Sequence, residues 1–125
     1  MLEINRLTTF LYEHQKDGGF SKAMLRKTIQ YAAKERPGFG GMVFTLEDKG
    51  ALLGVLVVNK TGMEDYVPEN LIVAMATDES YGEAETKDRL LDYAIAYCRG
   101  DIGLYIKPGD LREGFFSKYG FQKHQ

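Results

Sequence analysis

Leu2, Leu7, Phe10 and Leu11 fall near one face at helical spacing, and the run stops at Asp17-Gly18-Gly19, which predicts a helix over residues 3–16. Ser21 then precedes Ala23, Met24, Leu25, Ile29, Ala32 and Ala33. That second helical stripe has Ser21 as its cap and ends before Pro37-Gly38. After Gly38-Phe39-Gly40-Gly41 the apolar period shortens. Met42 to Leu46 and Leu52 to Val58 flank the polar Glu47-Asp48-Lys49-Gly50, which predicts a β-hairpin. Leu71 to Ala76 is a continuous apolar run just after Pro68, suited to a central strand covered on both faces. Residues 87–99 carry Leu90, Leu91, Ala94, Ile95 and Cys98 at helical spacing, with Gly100 as the stop. A strand over 102–106, a short helix over 111–118 holding Phe115 and Phe116, and a strand start at Phe121 complete the pattern. A hairpin in the middle followed by alternating strands and helices argues an α/β or α+β fold with a mixed sheet and helices on both faces.

Composition narrows the function classes. The 125 residues, 44% hydrophobic and 27% charged, suit a single domain spanning 1–125 with one core. Sixteen basic and eighteen acidic residues leave a net charge of −2, too weak a field to draw in nucleic acid or an anionic membrane, so neither is an expected partner. The single Cys98 forms no internal bridge, and its spacing with Leu91 and Ile95 makes it a small buried apolar residue rather than a nucleophile. No secretory pattern opens the chain, and apolar runs such as 51–58 are far short of the ~20 residues that span a bilayer. The expected address is the cytoplasm. His14 and His124 stand far apart with no Cys or carboxylate at ligand spacing, so no metal is expected.

The order of elements from Glu69 to Phe121, closing on Lys118-Tyr119-Gly120-Phe121, resembles the cofactor-binding half of the GCN5-related N-acetyltransferase family. The resemblance covers about residues 42–124. It implies an acyl-CoA N-acyltransferase-like fold: a mixed, mostly antiparallel sheet flanked by helices on both faces, here without the family's first and last strands. The loop that binds the acetyl-CoA pyrophosphate in that family maps onto Gly82, Glu83, Ala84, Glu85, Thr86 and Lys87. All three of its glycine positions are replaced, two of them by carboxylates. Such loops work because helix N-terminal N–H groups attract anions and glycines admit close approach. One carboxylate at 4 Å from a diphosphate costs roughly 1 to 4 kcal/mol, which Lys87 and Arg89 offset in part. In their own right, Glu83 and Glu85 read more simply as acidic first-turn residues that complement a helix dipole.

The resemblance assigns cofactor contacts to Ala74, Met75 and Ala76 on the strand, to Gly82 through Lys87, to Arg89, and to Phe116. It makes Glu69 the general base that deprotonates the acceptor amine, usually through water, and the Met75 backbone N–H the oxyanion donor. Glu69 reads otherwise as a solvated loop residue after Pro68. Phe116 occupies the position of the family's tyrosine acid and has no proton to give; with Phe115 it reads more simply as core.

The implied function is transfer of acetyl from acetyl-CoA to a small-molecule or peptide primary amine by direct attack. The alternative is a catalytically impaired module of the same fold acting in protein binding or self-association. An unpaired edge where the last strand is missing invites a homodimer through the C-terminal edge.

Overall fold

A computed structural model describes residues 4–15, 20–33, 35–36, 39–61, 68–81, 83–98 and 100–104. The elements run α1 (Ile4–His14), α2 (Lys22–Ala32), β1 (Glu35–Arg36), β2 (Phe39–Asp48), β3 (Ala51–Lys60), β4 (Asn70–Thr77), a 3-10 turn (Glu79–Tyr81), α3 (Glu83–Tyr97) and β5 (Ile102–Gly103). The strands lie side by side in chain order. Each neighbouring pair is antiparallel except β4 and β5, which run parallel with α3 as their crossover.

The helices form where the apolar stripes place them, although Ala23 and Met24 of the α2 stripe are exposed and Leu25, Ile29 and Ala32 carry its burial. Ser21 caps α2, its hydroxyl accepting from the Met24 N–H at 3.1 Å and so satisfying one of the donors that a helix start leaves unpaired. Ser21→Ala is expected to lower stability by about 1 kcal/mol, read as a shifted denaturant midpoint at unchanged slope. The β2–β3 hairpin closes on Lys49 and Gly50, whose φ values of 51° and 83° are the paired positive angles of the two-residue turn that matches strand twist.

Apolar residues on the two faces of the sheet gather into two cores. On one face Leu7, Phe10, Leu11, Leu25, Ile29 and Ala32 of α1 and α2 pack on Leu52, Val55, Val57 and Ala76. On the other, Leu90, Leu91 and Ala94 of α3 pack on Leu46, Leu56, Val58, Ile72 and Met75. Val55 to Val58 are buried without a break because β3 is covered on both faces, as is β4. No helix among the described residues is long and apolar enough to cross a membrane.

The structure departs from the sequence pattern at three places. A short strand, β1, pairs with the start of β2 after α2, where Glu35 and Arg36 carry no apolar signal. Helix α3 begins at Glu83 rather than 87, because an acidic, alanine-containing turn extends it upstream of its apolar stripe. Ile95, counted in that stripe, is exposed; among the described residues of α3 the buried positions are Thr86, Leu90, Leu91 and Ala94. The strand expected over 102–106 is described only at Ile102 and Gly103, and the elements expected over 111–121 lie outside the described residues, as does the C-terminal edge.

Candidate functional site

The apolar run of β4 is central to the sheet, yet its ladder is not uniform. Val57 pairs with Ala74 while Val58 pairs with Ile72, so Val73 is an extra residue on β4, a β-bulge. The bulge resets the side-chain phase. Ile72 and Met75, three apart, both face α3, whereas Val73, Ala74 and Ala76 face α1 and α2. Ala74, Met75 and Ala76 are thus consecutive residues just beyond the bulge.

Backbone directions follow from the same register. The Asp78 N–H donates to the Leu53 carbonyl at 2.8 Å, which makes that pair a hydrogen-bonded one. Such pairs alternate along an antiparallel ladder, so Ala76 and Ala74 also face β3, and the N–H groups of Thr77 and Met75 point away from it. On that side β5 pairs only with Asn70 and Leu71 among the described residues. The Met75 amide therefore sits on the β5-facing edge of β4, beyond the described part of the parallel ladder.

The entrance of β4 is held tightly. Asn70, buried, donates to the Asp101 carbonyl from its backbone N–H at 3.0 Å and from its side-chain amide at 3.2 Å. The Thr61 N–H donates to the Glu69 carbonyl at 2.9 Å, and the Thr61 hydroxyl donates to the Pro68 carbonyl at 2.8 Å. Pro68 covers Gly103, where an added Cβ would lie 2.6 Å from the proline Cγ. The carboxylate of Glu69 lies against Gly100, where a Cβ would overlap it and where φ is 87°. The positive φ is what fits glycine to position 100, since the Glu69 carboxylate is the movable end of a flexible side chain.

Glu69 is half-buried at this entrance, six residues before Met75. At about 3.3 Å per residue that places the two roughly 15 to 20 Å apart along the strand, allowing for the bulge. A base in contact with its proton, or one water away, lies within a few ångströms of it. The structure therefore does not bring Glu69 and the Met75 amide into one direct contact set.

At the other end of β4 the chain turns into α3. The Asp78 carboxylate accepts from the Ser80 N–H at 2.9 Å, forming the turn that leads into Glu79–Tyr81. Of the residues matched to a cofactor loop, Glu83, Ala84 and Glu85 form the first turn of α3, and Thr86 and Lys87 lie further inside the helix. Thr86 is buried rather than presented to solvent; Glu85 and Arg89 are exposed and Lys87 is half-buried. Gly82 and Phe116 lie outside the described residues.

Gly54 on β3 lets α3 approach this closely. A Cβ there would lie 2.8 Å from both Leu90 Cδ1 and Thr86 Cγ2, and 3.4 Å from Thr77 Cγ2. Gly54→Ala is expected to push the helix outward and cost about 1 to 3 kcal/mol, measurable as a lower melting temperature. Gly54 and the bulge differ in how far the sequence marks them. A glycine inside an apolar strand run is the signal that marks Gly54, whereas nothing in Leu71 to Ala76 marks the bulge.

Cys98 is half-buried against the α3-side core, and burial raises its thiol pKa, with Lys60 opposing weakly. That agrees with a packing residue and not with an activated thiolate. No cluster of three potential metal ligands occurs among the described residues.

No protein-family model and no curated protein sequence matches the chain. Among solved structures it is similar to an acetyltransferase of Trypanosoma brucei, at a TM-score of 0.57 and 16% identity, over 98% of this chain and 88% of that one. The chain thus has the fold of that acetyltransferase, a mixed and mostly antiparallel sheet with helices on both faces.

Proposed function

We propose that the protein is an N-acyltransferase that passes acetyl from the thioester of acetyl-CoA to a primary amine by direct attack, as a member of the GCN5-related family. One observation carries this reading: the bulge at Val73 turns the Met75 N–H off the β3 ladder, onto an edge of β4 that the described β5 does not pair. A backbone donor held by the sheet, with no reorganisation required, suits the oxygen of a thioester carbonyl as it gains negative charge. The amine nitrogen then bonds to the carbonyl carbon, the C–S bond breaks, and sulfur leaves as thiolate. In this reading Glu69 accepts the amine proton at the end of a file of waters rather than in contact, and water supplies the proton that the thiolate takes up. Fold likeness supports the reaction class and carries no acceptor identity.

Isothermal titration of the full chain with acetyl-CoA tests the reading, with weak, saturable binding expected in the high-micromolar to millimolar range, about −4 to −6 kcal/mol. Absence of heat at millimolar ligand would overturn it. That outcome would favour the second reading, a module of the same fold that binds a protein partner or a second copy. What supports the second reading is the first turn of α3, where Glu83 and Glu85 replace anion-binding glycines.

A further inference from the structure

A thioester lying along the β5-facing edge of β4 leads its carrier toward the start of α3, and that start is ill suited to a diphosphate. Five carboxylates, Asp78, Glu79, Glu83, Glu85 and Asp88, stand against two cations, Lys87 and Arg89, between residues 78 and 89. The donors an anion would use are engaged or opposed. The Ser80 N–H is held by the Asp78 carboxylate at 2.9 Å. The first turn of α3 also carries the exposed Glu85, and a carboxylate in that turn complements the positive end of the helix dipole as a bound anion would. Thr86 is buried with its methyl against Gly54, and half-buried Lys87 already has an interaction partner. The residues present do not fit the pyrophosphate of CoA.

The strand edge asks for something different. Met75 and Thr77 present N–H and C=O groups that β3 does not use, which suits a thioester carbonyl followed by the extended, uncharged amides of a pantetheine chain. Building on the acyltransferase reading, we infer that the acyl donor is recognised through its acyl-pantetheine arm alone, so that the donor class is pantetheine thioesters in general and the nucleotide diphosphate adds no affinity. The transfer step is unaltered: the amine nitrogen bonds to the carbonyl carbon, the C–S electron pair goes to sulfur, and the proton released by the amine returns through water to the thiolate, leaving an amide and a free thiol.

The test titrates the full chain with CoA and with pantetheine at low ionic strength, where charge repulsion is least screened. The expected dissociation constants agree within about tenfold. Because Glu85 is exposed, Glu85→Lys is expected to fold normally, to tighten CoA by roughly fivefold or more, and to leave pantetheine within about twofold. Wild-type preference for CoA of about tenfold or more would overturn the inference while leaving the acyltransferase reading standing. Binding of neither ligand at millimolar concentration would overturn both. A Glu85→Lys variant that moves both ligands equally, or neither, would remove the electrostatic basis of the inference and overturn it.

Discussion

On the acyltransferase reading, exchanging the Met75 backbone amide for an ester, which replaces its N–H by oxygen, is expected to lower acetyl-transfer turnover by roughly 10²- to 10³-fold, the usual effect of removing one oxyanion donor. The change is made by semisynthesis, with the side chain kept, so the core contacts of Met75 with the α3 face survive. Folding should be little affected. The Met75 N–H points away from β3, and the hydrogen-bonded pairs on either side, Ala74 with Val57 and Ala76 with Val55, are untouched. The loss should fall mainly on kcat, because the donor matters most when the carbonyl oxygen carries charge. An ester placed at Ala76 is the control: that N–H serves the β3 ladder, so its removal costs stability, by about 1 kcal/mol, more than turnover. Equal turnover losses in the two variants would deny Met75 a special role.

Much of this arrangement is legible in the sequence, for reasons that differ by element. The apolar stripes of α1 and α2, the Ser21 cap and the hairpin around Lys49-Gly50 are each specified by residues within one or two turns of chain. Local chemistry decides them, so local reading finds them. Leu71 to Ala76 is legible as a strand because burial on both faces demands a continuous apolar run. That same continuity hides the bulge: when every position is apolar, no alternation remains to reveal a change of phase at Val73.

Site geometry depends on contacts between segments far apart in sequence, and these leave fainter marks. Asn70 looks like a strand-edge polar residue, yet it is buried and joins β4 to the Asp101 carbonyl thirty-one residues away. Gly100 reads as a helix stop, which its φ of 87° supports, but the Glu69 carboxylate lying against it is a contact that exists only in three dimensions. The family resemblance makes Glu69 a base by its spacing to the strand. The structure adds the separation along β4 that spacing alone did not weigh. The shape of the α3 start is half legible: its acidic character stands in the sequence, whereas the burial of Thr86 follows from Gly54 on another strand.

Leu90→Ala carries the largest expected effect on stability. Leu90 is fully buried, and its Cδ1 reaches the floor that Gly54 leaves open on β3. With Leu91 and Ala94 it forms the α3 side of a core whose sheet side is Leu46, Leu56, Val58, Ile72 and Met75. Truncation removes transfer free energy and leaves a cavity that a close-packed helix and sheet refill only in part, for a cost of about 3 to 5 kcal/mol. In a domain of this size that amounts to a fall in melting temperature of roughly 10 to 20 °C. Ile95, five residues along the same helix but 49% exposed, is the matched control, and Ile95→Ala should stay within about 1 kcal/mol of the parent. A thermal melt of the two variants decides the matter: equal shifts would mean that α3 does not present the Leu90 face to the sheet. Because Leu90 and Thr86 seat α3 over Gly54 beside Thr77, the acyltransferase reading expects the Leu90 variant also to weaken thioester binding at temperatures where it remains folded. That couples the stability of this core to the geometry at the downstream end of β4.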